Sequence, residues 1–411
     1  MVAKRAMKDI ETRTATQMDA EIALQLVLFP PQDDPALPDA GPRHRRTNAV
    51  GLYDIAPRYV FRKPGKEGEV QAPSLSDTPV EREFKFDGKA YNLTLKPAQL
   101  RWRPTVHRRK GVLKDSSAKG ARKDDKWIYL FPSEREQIVE EVVRRIATSQ
   151  RRLSLSRDGE VMATFSLYEL QRELAEVGHS LNINEIKDAL QILRESVIEI
   201  SMAEGGGGTV LNSSVFPVLA FRSRAGSGVT GNTETYVTFN PLVAASIRAM
   251  RYRSISYTWL MRLRSPVSRW LYKRLSVAYE GSDNPQPMSL SALAIQRDSG
   301  MHERSRLRDT LTVVRKAVLA LEAEGIVTVE IERVEENRAV VDEIYTLTPS
   351  ANLLREVDAA VRLQEVRQQI LEAVVDSQST GDFVMVDRVA ATSARRQVEF
   401  LELPAPVIEK P

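Results

Sequence analysis

The 411-residue chain has no cysteine, which excludes disulfides, thiolate metal sites and cysteine nucleophiles together. Histidine is nearly as scarce. The four (His44, His107, His179 and His302) are far apart in sequence, so no His-x-His or His-x-x-x-His pair exists to start a metal site. No Gly-x-x-x-x-Gly-Lys-Ser/Thr run occurs, the tract Gly205-Gly-Gly-Gly208 lacks the following lysine, and no nucleophile-elbow sequence is present. No apolar run approaches the roughly 18 to 20 residues of a membrane span. The opening Met1-Val-Ala-Lys-Arg-Ala-Met-Lys-Asp9 has no apolar signal region. These absences predict a soluble protein that is not an enzyme, with no metal, no cofactor and no membrane partner, and a cytoplasmic address by default.

A further absence is local. Between Thr235 and Tyr279 there is no Asp or Glu, yet the segment carries Arg248, Arg251, Arg253, Arg262, Arg264, Arg269, Lys273 and Arg274. The net charge is only +4, so the partition matters more than the total. A second basic stretch, Arg101 to Lys126, has ten Lys/Arg against three Asp. A basic block within an ordered segment is the footprint of a phosphate-backbone binder. In the first block the arginines interleave with Tyr252, Tyr257, Trp259, Trp270 and Tyr272; the second reads equally well as a solvated loop.

What is present resolves into a repeated order of elements. Residues 1–80 read as a largely disordered arm, too rich in Pro and charge to offset its ordering entropy. Glu83 to Leu95 alternates about Asp87-Gly88, a β-hairpin signature. Ser133-x-x-Glu136 and Ser166-x-x-Glu169 are capping boxes opening two helices. A third helix follows with Ile186, Leu190, Leu193 and Val197 on one face. Val197–Met202, a glycine turn and Val215–Phe221 then form a wing. The pattern recurs from 235: a strand at Tyr236–Phe239, a helix opened by Asn240-Pro241, and a helix capped by Ser265-Pro266. A short helix at Ser289–Gln296 and a helix from about 303 to Gly325 come next. A hairpin, Ile326–Ile331 with Val340–Leu347, completes the second unit. The fold class expected is α+β, two tandem winged-helix domains at 82–234 and 235–350, followed by a C-terminal helix and loose tail at 351–411.

In such a domain the third helix lies in the major groove. At 3.6 residues per turn, Leu307, Leu311, Val314, Val318 and Leu321 form one stripe. Arg304, Arg308 and Arg315 form a second, widened by Ser305, Thr312 and Lys316. These, with Arg251 and Arg253, are the expected DNA contacts, arginine being suited to both guanine edges and phosphate. The alternative is a helix whose arginines only solubilise it. In the first domain Lys187, Gln191 and Arg194 share a weaker stripe, diluted by acids, that suits DNA or protein equally. Asn182 and Asn184 at its start fit capping better than base contact.

Tyr236-Val-Thr-Phe-Asn-Pro-Leu-Val-Ala-Ala-Ser-Ile247 and Arg264-Ser-Pro-Val-Ser-Arg-Trp-Leu-Tyr-Lys-Arg-Leu275 resemble TrfA-like plasmid replication initiators, over roughly residues 125–350. The resemblance implies a bacterial protein whose monomers bind repeated origin DNA (iterons). It also implies dimerisation that limits copy number, origin melting and helicase recruitment. Gln25-Leu-Val-Leu-Phe29 is similar to the peptide by which such proteins hold the sliding clamp, making Gln25, Leu26, Leu28 and Phe29 candidate contacts. The same five residues also suit a fragment of amphipathic helix. Two rivals remain: a winged-helix transcriptional regulator and an adaptor that binds protein rather than DNA.

Overall fold

Part of the segment expected to be a disordered arm is folded. The computed structural model describes residues 46–61, 74–75, 77–101, 127–149, 153–155, 160–203, 208–222, 234–249, 251–279, 285–301 and 306–380. Strand β1 (Arg46–Ala49) pairs antiparallel with residues 253–256, from Arg46↔Ser256 to Ala49↔Arg253. Helix α1 (Gly51–Ile55) follows. Val50, Tyr53, Ile55, Ala56, Tyr59 and Phe61 are buried. The apolar residues of this stretch are diluted when composition is averaged over 80 positions, which is why it reads as unstructured. Residues 1–45, including Gln25, Leu26, Leu28 and Phe29, lie outside the described residues, as does the tail after Thr380.

Among the described residues, four further sheets, two of four strands and two of three, and two helix triplets build the rest. Strand β2 (Ser74–Leu75) joins β5 (Ala98–Arg101) and β6 (Trp127–Phe131) in the order β2-β6-β5. The hairpin β3 (Val80–Phe86) and β4 (Lys89–Lys96) turns at Asp87-Gly88, both with positive φ (49° and 71°), as a two-residue type I′ turn requires.

The first winged-helix unit runs through α2 (Glu134–Ser149), β7 (Leu153–Leu155), β8 (Val161–Ser166), α3 (Leu167–Glu176) and α4 (Ile183–Glu195). Its wing is β9 (Val197–Met202) with β10 (Thr209–Ser213). Both later helices open on full capping boxes, Ser166 with Glu169 and Asn182 with Glu185, so Asn182 is a cap. Val197 begins the strand instead of extending the helix, and the second wing strand is Thr209–Ser213, not Val215–Phe221. Instead β11 (Leu219–Arg222) pairs with β12 (Glu234–Thr238), which pairs with β8. The division expected at 234/235 therefore does not follow the sheets, because β12 belongs to a sheet of the first unit. Nearest-neighbour alternation reveals a strand, but not which strand it joins.

The second unit is more regular. After α5 (Pro241–Arg248), β13 (Arg253–Ser256) and α6 (Tyr257–Arg262) come α7 (Pro266–Ala278), β14 (Met288–Ser291), α8 (Ala292–Ser299) and α9 (Leu307–Ala323). The wing β15 (Val327–Glu336) and β16 (Ala339–Pro349) forms a three-stranded sheet with β14 in the order β14-β16-β15. Met288–Ser291 is thus a strand where a helix was expected from Ser289, and α9 starts at Leu307. The chain ends its described part in α10 (Ala351–Thr380).

Candidate nucleic-acid interface

The second unit presents its third helix by burying one side of it. Leu311, Val314, Ala317, Val318 and Leu321 of α9 are buried, and Ser268 Oγ on α7 donates to Ala317 O at 2.8 Å. On α8, Ser291 caps the helix and Gly300 ends it in the left-handed region (φ 71°). A Cβ at Gly300 would stand 2.8 Å from Pro57 Cβ and 2.5 Å from Arg82 Nη1. That guanidinium is fixed, donating to Pro57 O and Tyr59 O at 2.6 and 2.7 Å. The end of α8 is therefore set by a tight junction with the N-terminal segment.

Arg308, Thr312 and Lys316, four residues apart, share the exposed edge of α9. Thr312 Oγ1 donates to Arg308 O at 2.8 Å. Arg306, the N-cap of α9, is a further exposed cation, which helical spacing from about 303 does not place on the Arg304–Arg308–Arg315 stripe. Arg304 and Ser305 lie outside the described residues.

Arg315 is placed differently. Its guanidinium makes a two-pronged bond with Glu343 on β16, Nε to Oε2 at 3.2 Å and Nη2 to Oε1. Glu343 is buried and also accepts from Tyr345 Oη at 2.6 Å. That bond to Glu343, before any effect of burial, raises the Arg315 pKa above its ordinary value. Arg315 thus ties helix to wing. Apart from the paired Glu343, the wing carries Glu330, Glu332, Glu335, Glu336 and Asp342 against Arg333 and Arg338, an excess of negative charge that disfavours phosphate.

The basic block divides likewise. Arg251, Arg262 and Arg264 are exposed, and Arg262 lies 3.6 Å from Glu324. Arg248 and Arg253 are half-buried, with Arg253 paired to Ala49 in the β1–β13 ladder. Arg269 and Lys273 are buried. Arg269 bonds Glu134 (2.7 Å), Gln137 (3.1 Å) and Leu263 O (2.9 Å). Lys273 bonds Asp54 at 2.8 Å and Glu141. Asp54 also takes Arg144 at 2.8 Å and Arg58 at 3.3 Å, and Arg58 reaches Glu140 at 2.9 Å. Burial alone would raise the Asp54 carboxyl, but Arg144, Lys273 and Arg58 together hold it well below the usual carboxylate range. Glu140 is lowered in the same way by Arg58 and Arg144 against its burial. These cations are counter-charges within the fold and are closed to a polyanion.

No protein-family model matches the chain, and no curated protein does. Solved structures similar to it include two of domains 2 and 3 of RctB. One has 9% identity and covers 73% of this chain and 96% of that one at a TM-score of 0.40; the other has 8%, 68%, 95% and 0.34. A crystal structure of Pi initiator protein in complex with iteron DNA has 14% identity and covers 53% of this chain and 93% of that one at 0.34. Likeness at this level assigns no family.

On the first unit's α4, Lys187 is half-exposed with Nζ 5.9 Å from the Phe221 ring, Gln191 is half-exposed, and Arg194 is exposed and paired with its neighbour Glu195. This face carries no concentrated positive charge. Among the described residues no cluster of His, Asp and Glu suits a metal ion, and no helix is long and apolar enough to cross a membrane.

Proposed function

We propose that this chain is a non-enzymatic, origin-binding replication initiator that reads duplex DNA with α9. One observation carries the reading: Arg308, Thr312 and Lys316 line the exposed edge of the third helix of a winged-helix unit whose opposite edge is core. That is the placement from which side chains reach base edges and flanking phosphates. Arg306 and Arg251 are exposed cations that add phosphate contacts. Initiation, as opposed to promoter control, is favoured by the resemblance of 236–247 and 264–275 to TrfA-like initiators. Gln25–Phe29 extends the proposal to the sliding clamp. Helicase recruitment, monomer–dimer self-association with copy control and a cytoplasmic setting belong to the same reading.

Fluorescence polarisation tests it on duplexes tiled across the DNA flanking the gene, where direct repeats are expected, against shuffled duplexes of equal composition. The wild type should prefer the repeats, and R308A/K316A should lose that preference, each lost base contact costing roughly 1–3 kcal/mol. The acidic wing favours a second reading, a protein-binding adaptor. Absence of salt-dependent duplex binding by the wild type would select it.

A further inference from the structure

The sheet β2-β6-β5 has two contrasting faces. Ala98, Ile128 and Leu130 pack inward with Ile192 of α4. The outward face carries Trp127, 51% exposed, and Tyr129, 36% exposed. Beside them on β5 are exposed Gln99 and Arg101, in the register Gln99↔Tyr129 and Arg101↔Trp127. The Arg101 guanidinium lies 6.0 Å from the centre of the Trp127 ring. A fold this rich in buried aromatics has its own core to place a tryptophan in; two adjacent rings left outward on one strand are a surface feature.

We propose that this face is a stacking platform for an unpaired polynucleotide strand, separate from the duplex-reading edge of α9. The rings stand two residues apart on one strand, hence about 7 Å apart. That is about twice the 3.4 Å rise of stacked nucleotides, so each ring takes one base of an extended strand. Bases in a duplex are stacked on both faces and present none to a ring, so the platform selects single strands. Gln99 offers an amide donor and acceptor for base edges. Arg101, with its guanidinium over the Trp127 ring, supplies positive charge at the rings. Charge of this sign fits a polyanion and not a neutral proline-rich peptide. The proposal does not rest on the reading of α9.

Full-length protein titrated into fluorescein-labelled oligo-dT and oligo-U, and into a mixed-sequence duplex of equal length, tests it. W127A/Y129A should weaken single-strand binding about ten-fold or more, given the usual loss per stacked base, and change duplex binding less than two-fold. W127F/Y129F, which keeps two rings, should restore it and show that the loss is not one of folding. R308A/K316A should leave it intact even if α9 proves to read no DNA. The tighter homopolymer identifies the strand as DNA or RNA. The idea is overturned if the wild type binds neither homopolymer, if the alanine variant binds as well as wild type, if the phenylalanine variant fails to restore binding, or if duplex and single-strand affinities fall together.

Discussion

Helices α7 and α9 belong to the same winged-helix unit and both carry arginine and lysine at helical spacing, yet their charges have opposite destinations. On α9 a single apolar stripe faces the core and leaves Arg308 and Lys316 on the exposed edge. Helix α7 buries Val267, Trp270, Leu271 and Leu275, and also Ser268, Arg269, Tyr272, Lys273 and Ser276. A helix enclosed on so many sides cannot leave cations bare, because an unpaired buried charge is far too costly. The acid-free run 235–279 is balanced by acids from elsewhere in the chain, namely Asp54, Glu134 and Glu141. Local basicity marks a nucleic-acid surface only where the helix is amphipathic.

The sharpest break of this comparison is D54A. It leaves Arg144, Lys273 and Arg58 without their shared carboxylate, and removing one partner from a buried charge network costs roughly 3–5 kcal/mol. Urea denaturation should show it as a lower midpoint at unchanged slope. R308A in the same assay should stay within about 0.5 kcal/mol of wild type, as exposed substitutions do. A D54A loss below about 1 kcal/mol would mean that water reaches the network, and α7 would then be no different from α9. The sign of the pH response follows. The depressed Asp54 and Glu140 carboxyls stabilise the fold above the ordinary carboxylate range and lose that contribution as pH falls below it.

Arg315 sharpens the comparison from inside α9, because it sits on the helix proposed to read DNA but is bonded as α7's cations are. R315A leaves the buried Glu343 carboxylate bonded to Tyr345 Oη without its guanidinium counter-charge, and should cost about 1–3 kcal/mol of stability. Discrimination between repeat and shuffled duplexes should change little. The reverse pattern, intact stability with lost discrimination, would make Arg315 a base reader that leaves Glu343 on binding DNA.

What the sequence disclosed was local. The Asp87-Gly88 hairpin, the Ser166 and Asn182 caps, the Gly325 stop and the apolar stripe of α9 each depend on residues within a turn or two. What it hid was long-range. The pairing of β1 with β13 spans about 200 residues, and nothing near Asp54 announces Lys273. The same limit misplaced β10 and β12, whose partners are set by tertiary packing. For the candidate site, the shared exposed face of Arg308, Thr312 and Lys316 was legible from spacing alone. Arg315 was not, since its partner stands 28 residues away on the wing. Trp127 and Tyr129 passed unnoticed because alternation shows two faces without telling which is covered.

The smallest expected effect lies where buried and exposed cations meet. His179, in the turn between α3 and α4, has its pKa lowered to about 4, first by burial and then by Arg269 and Arg264. The unfolded chain protonates this imidazole near its ordinary value of 6.5. Between those values the unfolded state binds the proton and the folded state does not, so His179 erodes stability as pH falls from about 6.5 toward 4. Asp54 and Glu140 are depressed, while Glu356, raised by burial, acts with the opposite sign, and all three are present in wild type and variant alike. H179Q should therefore narrow the drop in urea midpoint between pH 7 and pH 5.5. An equal drop in both proteins would mean that His179 is protonated in the fold, and that Arg264 and Arg269 do not reach it.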